Sequence, residues 1–167
     1  MVSAADARRV AGAVRDPELP MLTLADLGVL RSVECDGDGR VTVGLTPTYP
    51  GCPAIAEMRA TVAGALRAAG FARVEVRTVL SPPWSSDWIT PAGRRALAAH
   101  RIAPPGAAPR ARPGPVDLEL SWTRRGVPCP RCASASTEEL SGFGAGACLE
   151  LWRCRACREP FEHIREI

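Results

Sequence analysis

Lysine, asparagine and glutamine are absent from this chain of 167 residues. All 21 basic residues are Arg, set against 18 acids for a formal net charge of +3. With so many Ala, Gly and Pro beside them, these gaps read as the codon usage of a GC-rich bacterial genome, not as Arg selected for phosphate binding. The charges are interspersed, so no basic stripe marks a nucleic-acid surface. No apolar run reaches the ~18 residues that span a bilayer. The N-terminal stretch lacks the charged-then-apolar order of a signal peptide. There is no Glu-x-x-His pair for a di-iron centre and no Gly-rich dinucleotide fingerprint. The two histidines, His100 and His163, have no catalytic partner motif, and His163 is expected to face solvent on the last ribbon strand, with a spare metal ligand as the alternative.

Cysteine is what the chain does have. Two Cys-x-x-Cys pairs, Cys129 with Cys132 and Cys154 with Cys157, are separated by 21 residues. Each such turn aims two sulfurs at one point, and the stretch between is long enough to run out and back as a hairpin. The spacing predicts a four-thiolate zinc ribbon with Zn–S near ~2.3 Å. Four protein ligands leave no open position for water, so the zinc is expected to be structural, folding a segment too small to stabilise itself. Iron in a rubredoxin-like site and a thioredoxin-like disulfide are the alternatives. An odd total of seven cysteines, four of them assigned to metal, points to a reducing cytoplasm.

The apolar pattern places a first helix over residues 3–15, ended by Asp16-Pro17-Glu18-Leu19-Pro20. A hairpin follows, with strands at residues 29–34 and 40–45 and its turn, including Cys35, at 35–39. A helix over 53–69 has a core face of Ile55, Met58, Val62, Ala65 and Leu66, with Gly70 as its C-terminal cap. Val74, Val76 and Val79 predict a third strand. Thr90 and Pro91 open a last helix. Trp84 and Trp88, in the loop before it, suit either a core or a docking patch. Five prolines in residues 103–115 predict a solvated linker. The expected architecture is α/β (α+β): a small three-stranded sheet with flanking helices over residues 1–102, then the linker, then a four-cysteine zinc β-ribbon over 116–167. Leu118, Leu120 and Trp122 are candidates for an added ribbon strand.

Cys52 is the candidate reactive residue of the first part. It follows a strand and a Gly-bearing turn and stands at a helix start, where unpaired backbone donors and the dipole favour thiolate. Thr48 lies four residues earlier, and Asp16 and Glu18 occupy a rigid turn able to approach. The plainer alternative is a small buried hydrophobe, with Asp16 and Glu18 as turn and cap residues. Cys35 and Cys148 carry no evident role.

Asp16-Pro17-Glu18-Leu19-Pro20, Asp26-Leu27-Gly28 and Thr48-Tyr49-Pro50-Gly51-Cys52-Pro53 resemble the small domain of SufT-like iron–sulfur assembly factors. The segment Leu80 to Arg95, with its Pro-Pro-Trp and Asp-Trp-Ile-Thr-Pro runs, and the tail from Cys129 through Phe161 resemble the PaaD family, D subunits associated with bacterial phenylacetyl-CoA epoxidase. Ala133 departs from the pattern, standing where Gly often follows the first knuckle. The resemblance implies an accessory subunit for aerobic phenylacetate breakdown, without a catalytic activity of its own. It further implies that Cys52 transiently holds iron or an iron–sulfur cluster, with Thr48, Asp16 and Glu18 shaping the site. Expected partners are the other epoxidase subunits, above all the iron–sulfur reductase, or a second copy in a homodimer. No nucleic acid or membrane is expected. A structural adaptor and a rubredoxin-like electron carrier are the competing readings.

Overall fold

The computed structural model describes residues 3–108 and 126–167. Helix α1 (Ala4–Ala13) opens with a capping box, in which Ser3 and Asp6 satisfy each other's backbone donors. Asp16 then takes over the turn. Its Oδ1 accepts from the backbone N–H groups of Glu18 and Leu19, at 2.9 and 2.7 Å. A short helix α2 (Leu24–Leu27) ends at Gly28, whose φ of 76° is left-handed. A side chain there would also strike Trp88, 2.6 Å from the Cβ position, so Gly28 is required twice over.

Strands β1 (Leu30–Cys35) and β2 (Arg40–Leu45) form an antiparallel hairpin. Helix α3 (Ala54–Ala68) crosses over to β3 (Arg73–Thr78), which pairs parallel with β2. The sheet order is β1-β2-β3, with β2 central and Val41, Val43 and Leu45 buried. Met58, Val62 and Leu66 bring one face of α3 onto the core, where Leu22, Leu24 and Val29 are also fully enclosed. Each such aliphatic side chain contributes about 1.5–3 kcal/mol. Cys35 is the last residue of β1, paired with Val41, and not part of the turn. The turn is carried by Asp36, whose Oδ1 accepts from Asp38 and Arg40.

After a single 3-10 turn at Ser86–Trp88, helix α4 (Pro91–Ala99) begins at Thr90, which accepts from the Gly93 N–H at 3.0 Å. The same hydroxyl donates to Asp26 Oδ1 at 2.8 Å, tying α4 to α2. The second sheet comprises β4 (Ile102–Ala103), β5 (Thr137–Ser141), β6 (Leu149–Cys154) and β7 (Pro160–Ile164), in the order β4-β7-β6-β5.

Strand β4 departs from the expected linker. Ala103 is buried and pairs with His163 of β7, because an edge strand covers backbone donors that the short ribbon would otherwise leave open. Residues 104–108 stay close to the fold: Gly106 N–H donates to Glu166, Ala108 N–H to Asp87, and Arg94 Nη1 to the Pro105 carbonyl. The remainder of the expected linker, and the candidate strand at Leu118, Leu120 and Trp122, lie outside the described residues.

The two sheets meet at one apolar cluster, while the ribbon keeps a smaller one of its own around Trp152 and Phe161. Cys148, Leu149 and Ile164 of the second part pack into the same cluster as Leu19, Leu27, Cys52, Met58 and Trp84 of the first. Ser86 fastens the chain end. Its backbone N–H donates to the Ile167 carbonyl at 2.9 Å, and its hydroxyl accepts from the Ile167 N–H at 3.2 Å. Arg94 Nη2 reaches the Ser86 carbonyl from α4 at 3.0 Å. Among the described residues no helix is long and apolar enough to cross a membrane.

Candidate thiol and metal sites

The 21 residues between the two Cys-x-x-Cys pairs do run out and back, as the antiparallel hairpin β5–β6. The four sulfurs of Cys129, Cys132, Cys154 and Cys157 all lie within 4.8 Å of one another. Cys129 and Cys157 are 3.7 Å apart, and Cys132 and Cys154 are 3.5 Å apart. A tetrahedron of thiolates at about 2.3 Å from a central ion has edges of about 3.8 Å, so these sulfurs fit a four-coordinate metal with little movement. The Cys157 N–H donates to Cys154 Sγ at 3.4 Å, and this bond pulls the Cys154 thiol down to about 6. Each pair is followed by a left-handed residue, Ala133 at φ 59° and Arg158 at φ 61°. The knuckle does therefore require the conformation that Gly would adopt without strain.

His163 is buried rather than solvent-facing. On β7 it shares a face with Phe161, two residues earlier, and its Nδ1 lies 3.4 Å from Glu150 Oε2 on the neighbouring strand. It is not one of the four ligands.

Cys52 occupies a different setting. The Thr48–Pro53 turn leads from β2 into α3, and the backbone N–H groups of Ala54 and Ile55 at the helix start, with the Tyr49 hydroxyl, act to lower the Cys52 thiol. These donors and the positive helix end favour thiolate, as expected for a cysteine at a helix start. Burial outweighs them. Cys52 is 4% exposed, and desolvation, reinforced by the Glu18 charge, pushes its thiol above the ordinary range. Burial thus works against the thiolate expected at this helix start.

Asp16, Glu18, Thr48 and Cys52 do come together, on one small cavity of about 10 Å³. Leu19, Leu27, Met58, Trp84 and Ile164 supply its apolar walls. Trp84 is a core residue, its Nε1–H donating to the Leu27 carbonyl at 3.0 Å. Trp88 is half-buried beneath the Arg31 guanidinium, 3.6 Å from the ring centre. Burial raises the Asp16 and Glu18 carboxyls, and for Glu18 the neighbouring Asp16 charge adds to it. The remaining wall is Cys148, so a cysteine without evident role in the sequence lines the site after all. Burial, then the Glu18 charge, drives its thiol up to about 11. Tyr49 and Cys148 are the residues that sequence reasoning misses. Tyr49 stands inside the Thr48–Pro53 motif, where its place beside Cys52 could have suggested a contact. Nothing local to Cys148 signals its neighbour.

The family comparisons divide the chain along these lines. The model of the PaaD zinc beta ribbon domain matches residues 114–165, and that of the iron-sulfur cluster assembly protein family matches residues 5–78. A protein of Escherichia coli (strain K12), named as the D subunit of a "Putative 1,2-phenylacetyl-CoA epoxidase", is 42% identical over 153 residues, covering 91% of this chain and 86% of that protein. The chain belongs to the PaaD family.

Half of the chain has relatives outside the PaaD family. An "Fe-S protein maturation auxiliary factor" of Porphyromonas gingivalis (strain ATCC BAA-308 / W83) is 34% identical over 89 residues, 51% of this chain and 81% of its own length. The crystal structure of a domain of unknown function, DUF59, from Bacillus anthracis aligns with a TM-score of 0.53 at 27% identity, covering 56% of this chain and 90% of that one. The assembly-family match ends at residue 78. Cys148 thus brings the part of the chain matched by the PaaD ribbon to a cavity whose carboxylates, Thr48 and Cys52 lie in the part matched by the assembly family.

Proposed function

We propose that this chain is an accessory subunit of a bacterial phenylacetyl-CoA epoxidase system, in aerobic phenylacetate degradation, and that it assists iron–sulfur assembly in its partner subunits. What carries the reading is the meeting of Cys52, Thr48, Asp16 and Glu18 on one cavity, within a chain 42% identical to a protein named as a component of that epoxidase. Residues 1–102 serve as the assembly domain and the C-terminal part as a zinc-braced ribbon, in a cytoplasmic protein.

In this reading Cys52 is the residue that meets iron or a cluster as cargo, and the iron–sulfur reductase is the recipient. Asp16 shapes the site, since its Oδ1 is committed to two backbone donors. Glu18, whose side chain reaches the solvent-facing side, is the acceptor free to follow the cargo. Thr48 and the Tyr49 hydroxyl orient and protect the Cys52 sulfur. A partner subunit or a second copy completes the ligand set, because clusters generally take four protein ligands. The four ribbon cysteines hold zinc, which braces the fold and supplies no open coordination position. Metal analysis is expected to return one zinc per chain in a colourless protein.

The decisive experiment replaces Cys52 with Ser in cells that carry the whole system and purifies the reductase. A reductase depleted of iron and sulfide is the expected result. Full cluster content with undiminished epoxidase activity would overturn the delivery role.

A further inference from the structure

Cys148 has no place in the reading above, yet it is buried against the same cavity as Cys52. It enters from the loop before β6, where the backbone holds it from both sides. Its carbonyl accepts from Arg165 at 3.0 Å, and the next residue, Leu149, donates to Gly146 at 3.0 Å. Glu18 approaches the same point. The Glu18 Oε2 and Cys148 Sγ atoms lie 3.6 and 3.7 Å from the point that a Gly146 side chain would occupy. Because Gly146 has none, carboxylate and thiol both border a point that no side chain of this residue fills.

We propose that Cys52 and Cys148 together form a two-thiol site for a single thiophilic divalent cation, with Glu18 as the carboxylate on its solvent side. The inference deepens the reading of Cys52 as a cargo residue and names what the closed site accepts. Size decides between an ion and a cluster. A void of about 10 Å³ matches roughly one water-sized body. A cluster of several iron and sulfide atoms enters only if the ribbon lifts away, and that movement carries Cys148 with it. Donor type decides among ions. Two sulfurs and one carboxylate select iron(II), zinc or a similar borderline-soft cation over magnesium or calcium.

Binding exchanges two S–H bonds for two S–metal bonds. Both protons leave to solvent and no electron is transferred. Among the described residues the ribbon cysteines are the one group of three or more such donors within 4.8 Å of one another, so Cys52, Cys148 and Glu18 must draw together to bind the ion. That looser arrangement suits an ion that is passed on.

The test uses the full chain with its ribbon loaded with zinc, without oxygen, and cobalt(II) as the probe. One cobalt per chain is expected beyond the retained zinc, with thiolate-to-cobalt absorption in the near ultraviolet. Cys52 and Cys148 should both become protected from iodoacetamide, while Cys35 stays unchanged. Cys148→Ser should weaken cobalt binding by more than the ~10–100-fold that loss of an outer-shell partner costs. Absence of a second cation, or binding that leaves Cys148 unprotected or survives Cys148→Ser, overturns the proposal. Should that variant fail to fold, the protection pattern of the unsubstituted chain decides alone. Failure of the delivery reading looks different, since normal reductase clusters in Cys52→Ser cells leave the cobalt titration unaffected.

Discussion

The chain places cysteines in two opposite ways. In the ribbon, four sulfurs from two tight turns are drawn to tetrahedral spacing, and little else packs there beyond Ala103, Val127, Trp152 and Phe161. Around Cys52, two sulfurs lie within one apolar core cluster, where burial pushes both thiols above the ordinary range. On the proposed reading, the contrast separates permanence from exchange. A metal that must stay is held by converged thiolates whose assembly contributes directly to folding. A cargo that must leave is better met by donors that the fold supports without it.

The largest expected effect follows from removing a converged ligand. Structural zinc contributes about 10–16 kcal/mol to small metal-folded units, so Cys154→Ser should abolish metal retention and unfold β5–β7. Metal analysis and hydrogen exchange read this. Because β6 follows Cys148 directly, Cys52 should become open to alkylation in the same variant. A ribbon that stays folded and protected without its ion would erase the distinction between the two sites.

An intermediate effect tests the seam between them. Ser86→Ala removes the hydroxyl that accepts from Ile167 at 3.2 Å, at a cost of about 1 kcal/mol. A change of that size raises the open population about 5-fold, and alkylation of Cys52 and Cys148 should accelerate together by that factor. Acceleration of only one of them would mean that the cavity opens by another route.

The smallest effect sharpens the picture of the knuckle. Ala133 sits at φ 59°, where a side chain costs about 1–2 kcal/mol and Gly does not. Ala133→Gly should stabilise the ribbon by about 0.5–1 kcal/mol after the entropy of the unfolded glycine is counted. A raised midpoint for metal release on heating would register it, and a lowered one would contradict it.

Much of the fold is legible in the sequence because its signals are local. Thr90 and Pro91 announce α4, Gly70 ends α3, and the alternation of Val41, Val43 and Leu45 marks β2 as half-buried. The ribbon is legible for the same reason, since ligand spacing is a property of short segments. The burial of His163 is readable too, against the expectation of a solvent-facing ring: two residues after Phe161, it has to share that residue's inward face. The meeting of Cys148 with Cys52 is not readable. The two residues are 96 positions apart, and neither periodicity nor turn chemistry reports how a second sheet docks on a first. Strand β4 escapes for a related reason. Two residues at the head of a Pro-rich stretch carry no pattern, and only the open edge of β7 makes them a strand.

That two-residue strand bears on how the protein can be taken apart. A cut after residue 102, where composition suggests a natural seam, would split β4 between two fragments. The amino-terminal piece would expose a greasy floor once roofed by Leu149 and Ile164, and the carboxy-terminal piece would carry a raw sheet margin along β7. Both fragments are then prone to self-association, and thiol chemistry measured on either would describe the damage done by the cut.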